Sequence, residues 1–427
     1  MRTELGPDRC ADPHIAAVER NLRACVHCGI CTATCPTYVL TGDERDGPRG
    51  RIVMIQRMLE QDAPPTAEAV HHIDRCLSCL GCRSACPSSV DYARLVDQAR
   101  AHIHETYRRP WRDRWMRASI AYVMVRPALL GAGLRLAQLF APIATRWPGS
   151  IGLMARKAVA IPPAEKTPLP KSTGAERVAL MPGCVQQALA PSIDRAAARV
   201  LARRGLASAE LDGAGCCGAL AHHLGRRDEA KAWAKRAIAA FEKSGAAHVL
   251  ITATGCAAHL ADYAQLFCDE PDWQPRARVF AAKVRDFSDL ATPRPAYAPE
   301  HLSVAHHIPC SLQHGLKRAN GGEAALKAAG YALREIPESH LCCGSAGSYS
   351  LLQPEMAAAL RRRKIDNIAM LEADIIASAN IGCLTHLAGP DAPPVVHPAE
   401  LIDWAEGGPR PAALRPKSAV AATREPR

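Results

Sequence analysis

The chain has 427 residues, 48% hydrophobic and 22% charged, a globular composition long enough for about three domains of roughly 150 residues each. A single small module, a wholly disordered chain and a polytopic membrane protein are thereby excluded. The net charge of +11 suits nucleic acid, an anionic membrane or an acidic partner, but aromatic residues make up only 4%, too few to stack bases along a single strand, so no nucleic-acid partner is expected.

The N-terminal stretch MRTELGPDRCADPH lacks the apolar core of a secretory signal, so a cytoplasmic protein is expected. In a reducing compartment its 18 cysteines read as metal ligands or redox groups rather than disulfides. Cys25-x2-Cys28-x2-Cys31-x3-Cys35-Pro36 recurs 51 residues later as Cys76-x2-Cys79-x2-Cys82-x3-Cys86-Pro87. In such a pair the close cysteines wrap a cubane and the fourth reaches the other cluster. Cys25, Cys28, Cys31 and Cys86 are therefore expected to hold one [4Fe-4S] cluster, and Cys76, Cys79, Cys82 and Cys35 a second. Zinc is the alternative for four thiolates, but zinc sites do not usually need this spacing followed by proline. Arg49 to Leu59 has helical apolar spacing after a polar loop at Thr41 to Pro48, and His71-His72 reads as solvated or capping.

Residues 88–160 hold no cysteine and read mainly as helix. Ala118 to Ala144 is apolar but broken by Arg126, Pro127 and Arg135, so no spanning helix is expected; packing on the cluster domain or a partner, or contact with a membrane surface, are the open readings. The Pro-rich run IPPAEKTPLPK at 161–171 is the expected linker.

Beyond it, Cys184, Cys216, Cys217 and Cys256 are matched by Cys310, Cys342, Cys343 and Cys383 at offsets of 126 or 127. Strand-like runs at Val178 to Met181, His248 to Ala253, Val304 to His307 and Asp374 to Ala379 alternate with helix patterns at Ile193 to Arg204, Asp228 to Lys243, Gly322 to Ala329 and Glu355 to Leu371. Such alternation implies α/β modules with parallel strands and cysteines at the carboxyl edge. The Cys-Cys-Gly pairs could bridge several irons, act as redox thiols or pack as small hydrophobes. His259 and His386, each three residues after the last cysteine, could add an imidazole. Gly213-x-Gly215-x-x-Gly218 formally matches a dinucleotide fingerprint but follows a poor strand, so no flavin or nicotinamide site is expected. His222-His223 and His306-His307 read as solvated or capping, Cys10 and Cys268 as bystanders, and Arg361 to Lys364 as a solvated helix face.

The expected fold is α+β overall: an N-terminal α-helical ferredoxin-type domain at 1–105, a helical connector and Pro-rich linker at 106–171, two repeated α/β Cys-Cys-Gly modules at 172–298 and 299–405, and a disordered tail at 406–427.

Nearly the whole chain resembles the iron–sulfur subunit family of bacterial glycolate oxidase, also called glycolate dehydrogenase. The resemblance rests on CVHCGICTATCPTY at 25–38, GDERDGPRGRIVMI at 42–55, CLSCLGCRSACPSSVDY at 76–92, PGC at 182–184, GCCGAL at 215–220 and SHLCCGSAGSYSLLQPEMA at 339–357. It implies an electron-transfer subunit of an oxidoreductase, carrying two [4Fe-4S] clusters and no catalytic residue of its own. FAD is expected on partner subunits that oxidise glycolate, with D-lactate a second candidate, and electrons pass to a quinone or other acceptor, with peripheral attachment at the cytoplasmic face of the inner membrane. Related subunits of D-lactate and anaerobic glycerol-3-phosphate dehydrogenases, and heterodisulfide reductase, are the alternatives. Modules of the heterodisulfide type end C-x2-C, whereas both here end C-x2-H, which weighs against a further cluster of that type.

Overall fold

The computed structural model describes residues 2–61, 63–140, 169–170, 174 and 176–415. The N-terminal region is helical. Helix Pro13–Ala24 starts where the Asp12 side chain accepts the His14 N–H and Pro13 opens the first turn, two features that satisfy or remove orphan donors at a helix start. Helices Pro48–Gln61, Ala67–Asp74 and Tyr92–Thr106 pack with it around Leu22, Ile55, Leu59, Ile73, Leu95 and Ile103. The first of these spans the expected Arg49 to Leu59 and extends it at both ends. Burying each such side chain stabilises by about 1.5–3 kcal/mol, and the cysteine loops rest on this core.

Helices Trp111–Val123 and Pro127–Leu139 follow, bent by 113° at the Arg126-Pro127 break. Among the described residues no single helix is long and apolar enough to cross a membrane. Most of the 161–171 linker lies outside the described residues.

Each later module is a four-stranded parallel sheet. In the first, β1 (Glu176–Leu180), β2 (Leu206–Glu210), β3 (His248–Ile251) and β4 (Val284–Asp286) lie in the order β2-β1-β3-β4. In the second, β5 (Ser303–His306), β6 (Ala332–Glu335), β7 (Ile375–Ala377) and β8 (Val395–Val396) repeat it as β6-β5-β7-β8. Val178 pairs with Ser208 on one side and His248 on the other; Val304 pairs with Leu333 and Ile375 in the same way. The buried parts of the central strands are apolar apart from His306 at the end of β5, because helices cover both faces of a parallel sheet.

One apolar cluster joins the two sheets, with Val178, Leu180 and Leu250 against Val304, Ile375 and Val396. Arg199 and Arg203 clamp the buried Asp403 at 2.6 and 2.8 Å, and His397 Nε2 lies 3.0 Å from the Thr252 carbonyl oxygen. Residues 406–415, read from sequence as part of the tail, make defined contacts: Arg410 pairs with Glu300 at 2.8 Å and covers the Trp404 ring. The remainder of the tail is outside the described residues.

Candidate metal centres

The two cysteine loops share a backbone as well as a spacing. His27 and Gly29 have φ of 55° and 82°, and Ser78 and Leu80, at the same positions of the second copy, 51° and 62°. These left-handed residues fold the loop back on itself, a conformation disfavoured for side chains other than glycine, and the Ser78 N–H reaches Cys76 Sγ at 3.4 Å. A helical turn then carries the third cysteine of each copy, Ile30–Thr32 for Cys31 and Gly81–Ser84 for Cys82. Cys35 stands just before helix Pro36–Thr41, at its N-cap position.

The thiols of the two loops act on one another across the duplication. Burial pushes the Cys31 thiol up to about 11, and Cys25, Cys86 and Cys28 push it the same way. Cys86 thus lies with the first loop although it belongs to the second motif. Cys82 is pushed well above the ordinary thiol range by burial and then by Cys79, Cys76, Cys35 and Cys31, so Cys35 of the first motif lies near the second loop. Among the described residues no three of these eight sulfurs lie within 4.8 Å of one another. A tetrahedral zinc ion, with Zn–S near 2.3 Å, would hold its sulfurs about 3.8 Å apart, whereas thiolates on separate irons of a cubane stand farther apart. The donor set fits an iron–sulfur cluster. Cys25, Cys28, Cys31 and Cys86, with Cys82 at one side, line a solvent-open space of about 450 Å³ beside Ile52 and Tyr92.

Beneath the second loop lies a buried ionic network that the sequence did not disclose. Arg51 donates to the His72 carbonyl at 2.7 Å and Thr37 Oγ1 at 3.1 Å, with Cys35 Sγ at 3.8 Å. Asp46, fully buried, accepts from Arg75 at 2.7 Å and lies 2.8 Å from His72 Nδ1. The polar run Thr41 to Pro48 reads as a solvated loop; its Asp46 instead turns inward to neutralise two arginines. His72 is accordingly buried, not solvated as expected.

In the first module Cys184 follows β1, Cys216-Cys217 follow β2 and Cys256 follows β3. β1 and β3 are adjacent strands whose connections leave in opposite directions, the switch point where open α/β sheets place ligands. Cys184 and Cys216 sulfurs are 3.5 Å apart, and Cys217 links Cys216 to Cys256. Hydrogen bonds from Cys184 and Cys217 draw the Cys216 thiol down, assisted by the Gly218 N–H at 3.4 Å. The second module repeats the chain of thiols: Cys310 to Cys342 at 3.8 Å and Cys343 to Cys383 at 3.4 Å. The two edges meet, Thr254 N–H donating to the Ala379 carbonyl at 3.2 Å and Thr254 Oγ1 lying 2.8 Å from Ser311 Oγ. Cys79 of the second loop packs in one apolar cluster with Cys342, with Cys310 against it.

Gly213-x-Gly215-x-x-Gly218 does follow a strand, the edge strand β2, but a Cβ at Gly215 would sit 2.7 Å from the Trp233 ring and one at Gly218 2.9 Å from the Ala230 carbonyl oxygen. These glycines admit helix Arg227–Ser244. His259 is buried beside the His222 ring, 5.0 Å between centroids, and the Tyr263 ring, and His386 Nε2 lies 3.2 Å from the Ala357 carbonyl oxygen; neither forms a close ligand group with its module's thiols. His222 pairs with Asp97 at 3.1 Å and His306 and His307 are both buried, so a solvated role fails for these three, while His223 is exposed as expected. Cys10 Sγ lies 3.9 Å from the Leu5 carbonyl and Cys268 Sγ 3.3 Å from His14 Nδ1. Lys364 is buried with Nζ on the Glu338 carbonyl at 2.8 Å, so the basic run is not a wholly solvated face.

Residues 24–91 match the 4Fe-4S dicluster domain family, and residues 178–261 and 304–388 each match the Cysteine-rich domain family. The chain is 36% identical over 414 residues to the glycolate oxidase iron-sulfur subunit of Escherichia coli (strain K12), covering 95% of this chain and 99% of that one. It is 30% identical to the probable glycolate oxidase iron-sulfur subunit of Bacillus subtilis (strain 168), covering 86% and 89%. Lactate utilization protein A of Exiguobacterium sp. is 29% identical over 50% of this chain and 89% of that one. Among solved structures, that of a hypothetical protein from Helicobacter pylori has a TM-score of 0.54 at 10% identity, covering 96% of this chain and 74% of the other, a likeness of fold alone.

Proposed function

The chain belongs to the family of glycolate oxidase iron–sulfur subunits, and on that premise we propose that it is the electron-transfer subunit of a glycolate oxidase complex. Flavin-bearing partner subunits oxidise glycolate to glyoxylate, and this chain conducts the electrons toward a quinone or another acceptor. The observation that carries this reading is the duplicated cysteine loop, in which Cys86 of the second motif acts on Cys31 and Cys35 of the first acts on Cys82. In this reading Cys25, Cys28, Cys31 and Cys86 hold one cluster and Cys76, Cys79, Cys82 and Cys35 the other. Bound [4Fe-4S] clusters accept and release electrons singly.

The residues around the two groups divide the work. The first loop faces outward: Cys28 is exposed, and Val26 and Ile30 beside it are 68% and 53% exposed, an apolar rim that a partner can cover closely. The second loop is sealed, with Cys76, Cys79 and Cys82 buried and the Arg51 guanidinium set against Cys35. Its Cys79 leads into the second module. Substrate oxidation belongs to the partner because hydride removal requires a flavin or nicotinamide.

Dye-linked turnover with each subunit omitted in turn tests the assignment. The full complex should reduce the dye with glycolate, and this chain alone should not. Turnover by this chain alone overturns the division of labour, and turnover with D-lactate or glycerol 3-phosphate but not glycolate moves the chain to a related complex.

We also infer peripheral attachment to an anionic membrane face through the bent helix pair, where Trp111, Trp115, Leu136 and Leu139 are exposed among arginines, the composition of an interfacial segment. Sedimentation with phosphatidylglycerol vesicles in low salt should bring down the full-length chain. A chain left wholly in the supernatant refutes attachment.

A further inference from the structure

His307, Cys343 and Cys383 form a compact group outside both duplicated loops. A ring nitrogen of His307 and the two sulfurs all lie within 4.8 Å of one another, the sulfurs 3.4 Å apart. All three residues are buried, none more than 4% exposed. His307 Nε2 has no hydrogen-bond partner, and a buried polar atom left bare costs about 1–3 kcal/mol. Two other buried histidines find a carbonyl, His386 Nε2 at Ala357 and His397 Nε2 at Thr252, whereas His259 Nε2 is bare like that of His307 but stands apart from its module's thiols.

The topology explains how the group comes together. His307 follows β5 directly, Cys343 follows β6 and Cys383 lies in helix Ile381–Leu387 after β7, so three separate strands deliver their ligands to one carboxyl edge. In the first module the residue 126 places before His307 is Met181, and no comparable group of three forms there among the described residues.

We propose that His307, Cys343 and Cys383 bind one thiolate-preferring divalent transition-metal ion, zinc or iron(II), at a site separate from the two cluster loops. Zn–S near 2.3 Å implies sulfurs about 3.8 Å apart, close to the observed separation. Binding releases the thiol protons of Cys343 and Cys383 to solvent, since the thiolate is the ligand, and leaves the fourth position to Cys342 beside Cys343 or to an external ligand. The ion ties β5, β6 and β7 together at the edge that faces the second cysteine loop.

The test is metal quantification on the full-length chain purified anaerobically with its clusters intact. The wild type should carry one metal equivalent beyond the cluster irons, absent from His307→Met, which installs the residue the first module already accommodates, and from Cys383→Ser, with the cluster EPR signals unchanged. Zinc or iron in that equivalent identifies the ion. Should both variants misfold, cobalt(II) added to the wild type gives the answer through a thiolate-to-cobalt charge-transfer band. Absence of both the extra equivalent and the cobalt band overturns the proposal. So do several additional irons that persist in His307→Met, because a cluster on the cysteines alone would then occupy the site.

Discussion

Replacing Arg51 with methionine retains an apolar stem and removes the guanidinium at the hub of the network under the second loop. Arg51 is 1% exposed, and its two closest bonds run to the His72 carbonyl at 2.7 Å and Thr37 Oγ1 at 3.1 Å. Charge-assisted bonds contribute about 1.5–3 kcal/mol each, which gives about 3–6 kcal/mol, overlapping the roughly 3–5 kcal/mol expected when one partner of a buried ion pair is removed. Asp46 keeps Arg75 and His72 at 2.7 and 2.8 Å, so the lower end, about 3 kcal/mol, is expected. The same guanidinium lies 3.8 Å from Cys35 Sγ. At about 4 Å a unit charge pair is worth roughly 4 kcal/mol at an effective dielectric of 20, less when the negative charge is spread over a cluster. A cation favours the more negative, reduced state, so Arg51→Met should lower the potential of the cluster assigned to Cys76, Cys79, Cys82 and Cys35 and leave the other unchanged. Thermal unfolding and an EPR-monitored redox titration measure both effects. Unfolding within about 0.5 kcal/mol of wild type, the range of an ordinary surface substitution, together with two unshifted potentials, would refute the reasoning.

Cys35→Ser should disable the cluster whose other ligands come from Cys76, Cys79 and Cys82, and Cys86→Ser the one on Cys25, Cys28 and Cys31; iron analysis with EPR checks this, and loss confined to each cysteine's own loop would count against cross-ligation. Burial pushes the Asp194 carboxyl up to about 7 from about 3.9 in the unfolded chain. Its contribution is therefore fully present below pH 4 and lost as pH rises to about 7, a change of about 4 kcal/mol. Asp194→Asn keeps an acceptor for Gln186 and Thr252, which donate at 2.7 and 2.6 Å, without titrating, so the melting temperature should vary less with pH across that window; an identical slope in both proteins would contradict it. Gly215→Ala, at φ +69° and 2.7 Å from the Trp233 ring, should destabilise by about 1–3 kcal/mol with cluster spectra unaltered, as chemical denaturation will show.

The cysteine groups were legible because ligation dictates both residue type and spacing, and the duplication repeats the pattern. Central strands β1, β3, β5 and β7 were legible as apolar runs, since both their faces are covered. Edge strands β2 and β6 were not: Leu206–Glu210 and Ala332–Glu335 leave most of their residues exposed or half-buried, and their pattern resembles a loop. The Arg51 and Asp46 network escaped detection because Asp46 lies in a polar run and Arg51 among the polar positions of a helical one, and such charges look solvated until tertiary contacts pair them. His307 carried an overlooked signal. The repeat aligns it with Met181, an apolar position, which marks the site as interior.

The central claim, that this chain carries electrons drawn from 2-hydroxy acid oxidation through two clusters, is tested most directly by freezing the assembled complex at intervals after adding glycolate and recording EPR spectra. The account predicts that both [4Fe-4S] signals of this chain grow with glycolate and that neither grows when the flavin-bearing subunits are left out. Glyoxylate formation with dye reduction while both clusters stay oxidised, in a complex whose clusters dithionite reduces, would contradict it.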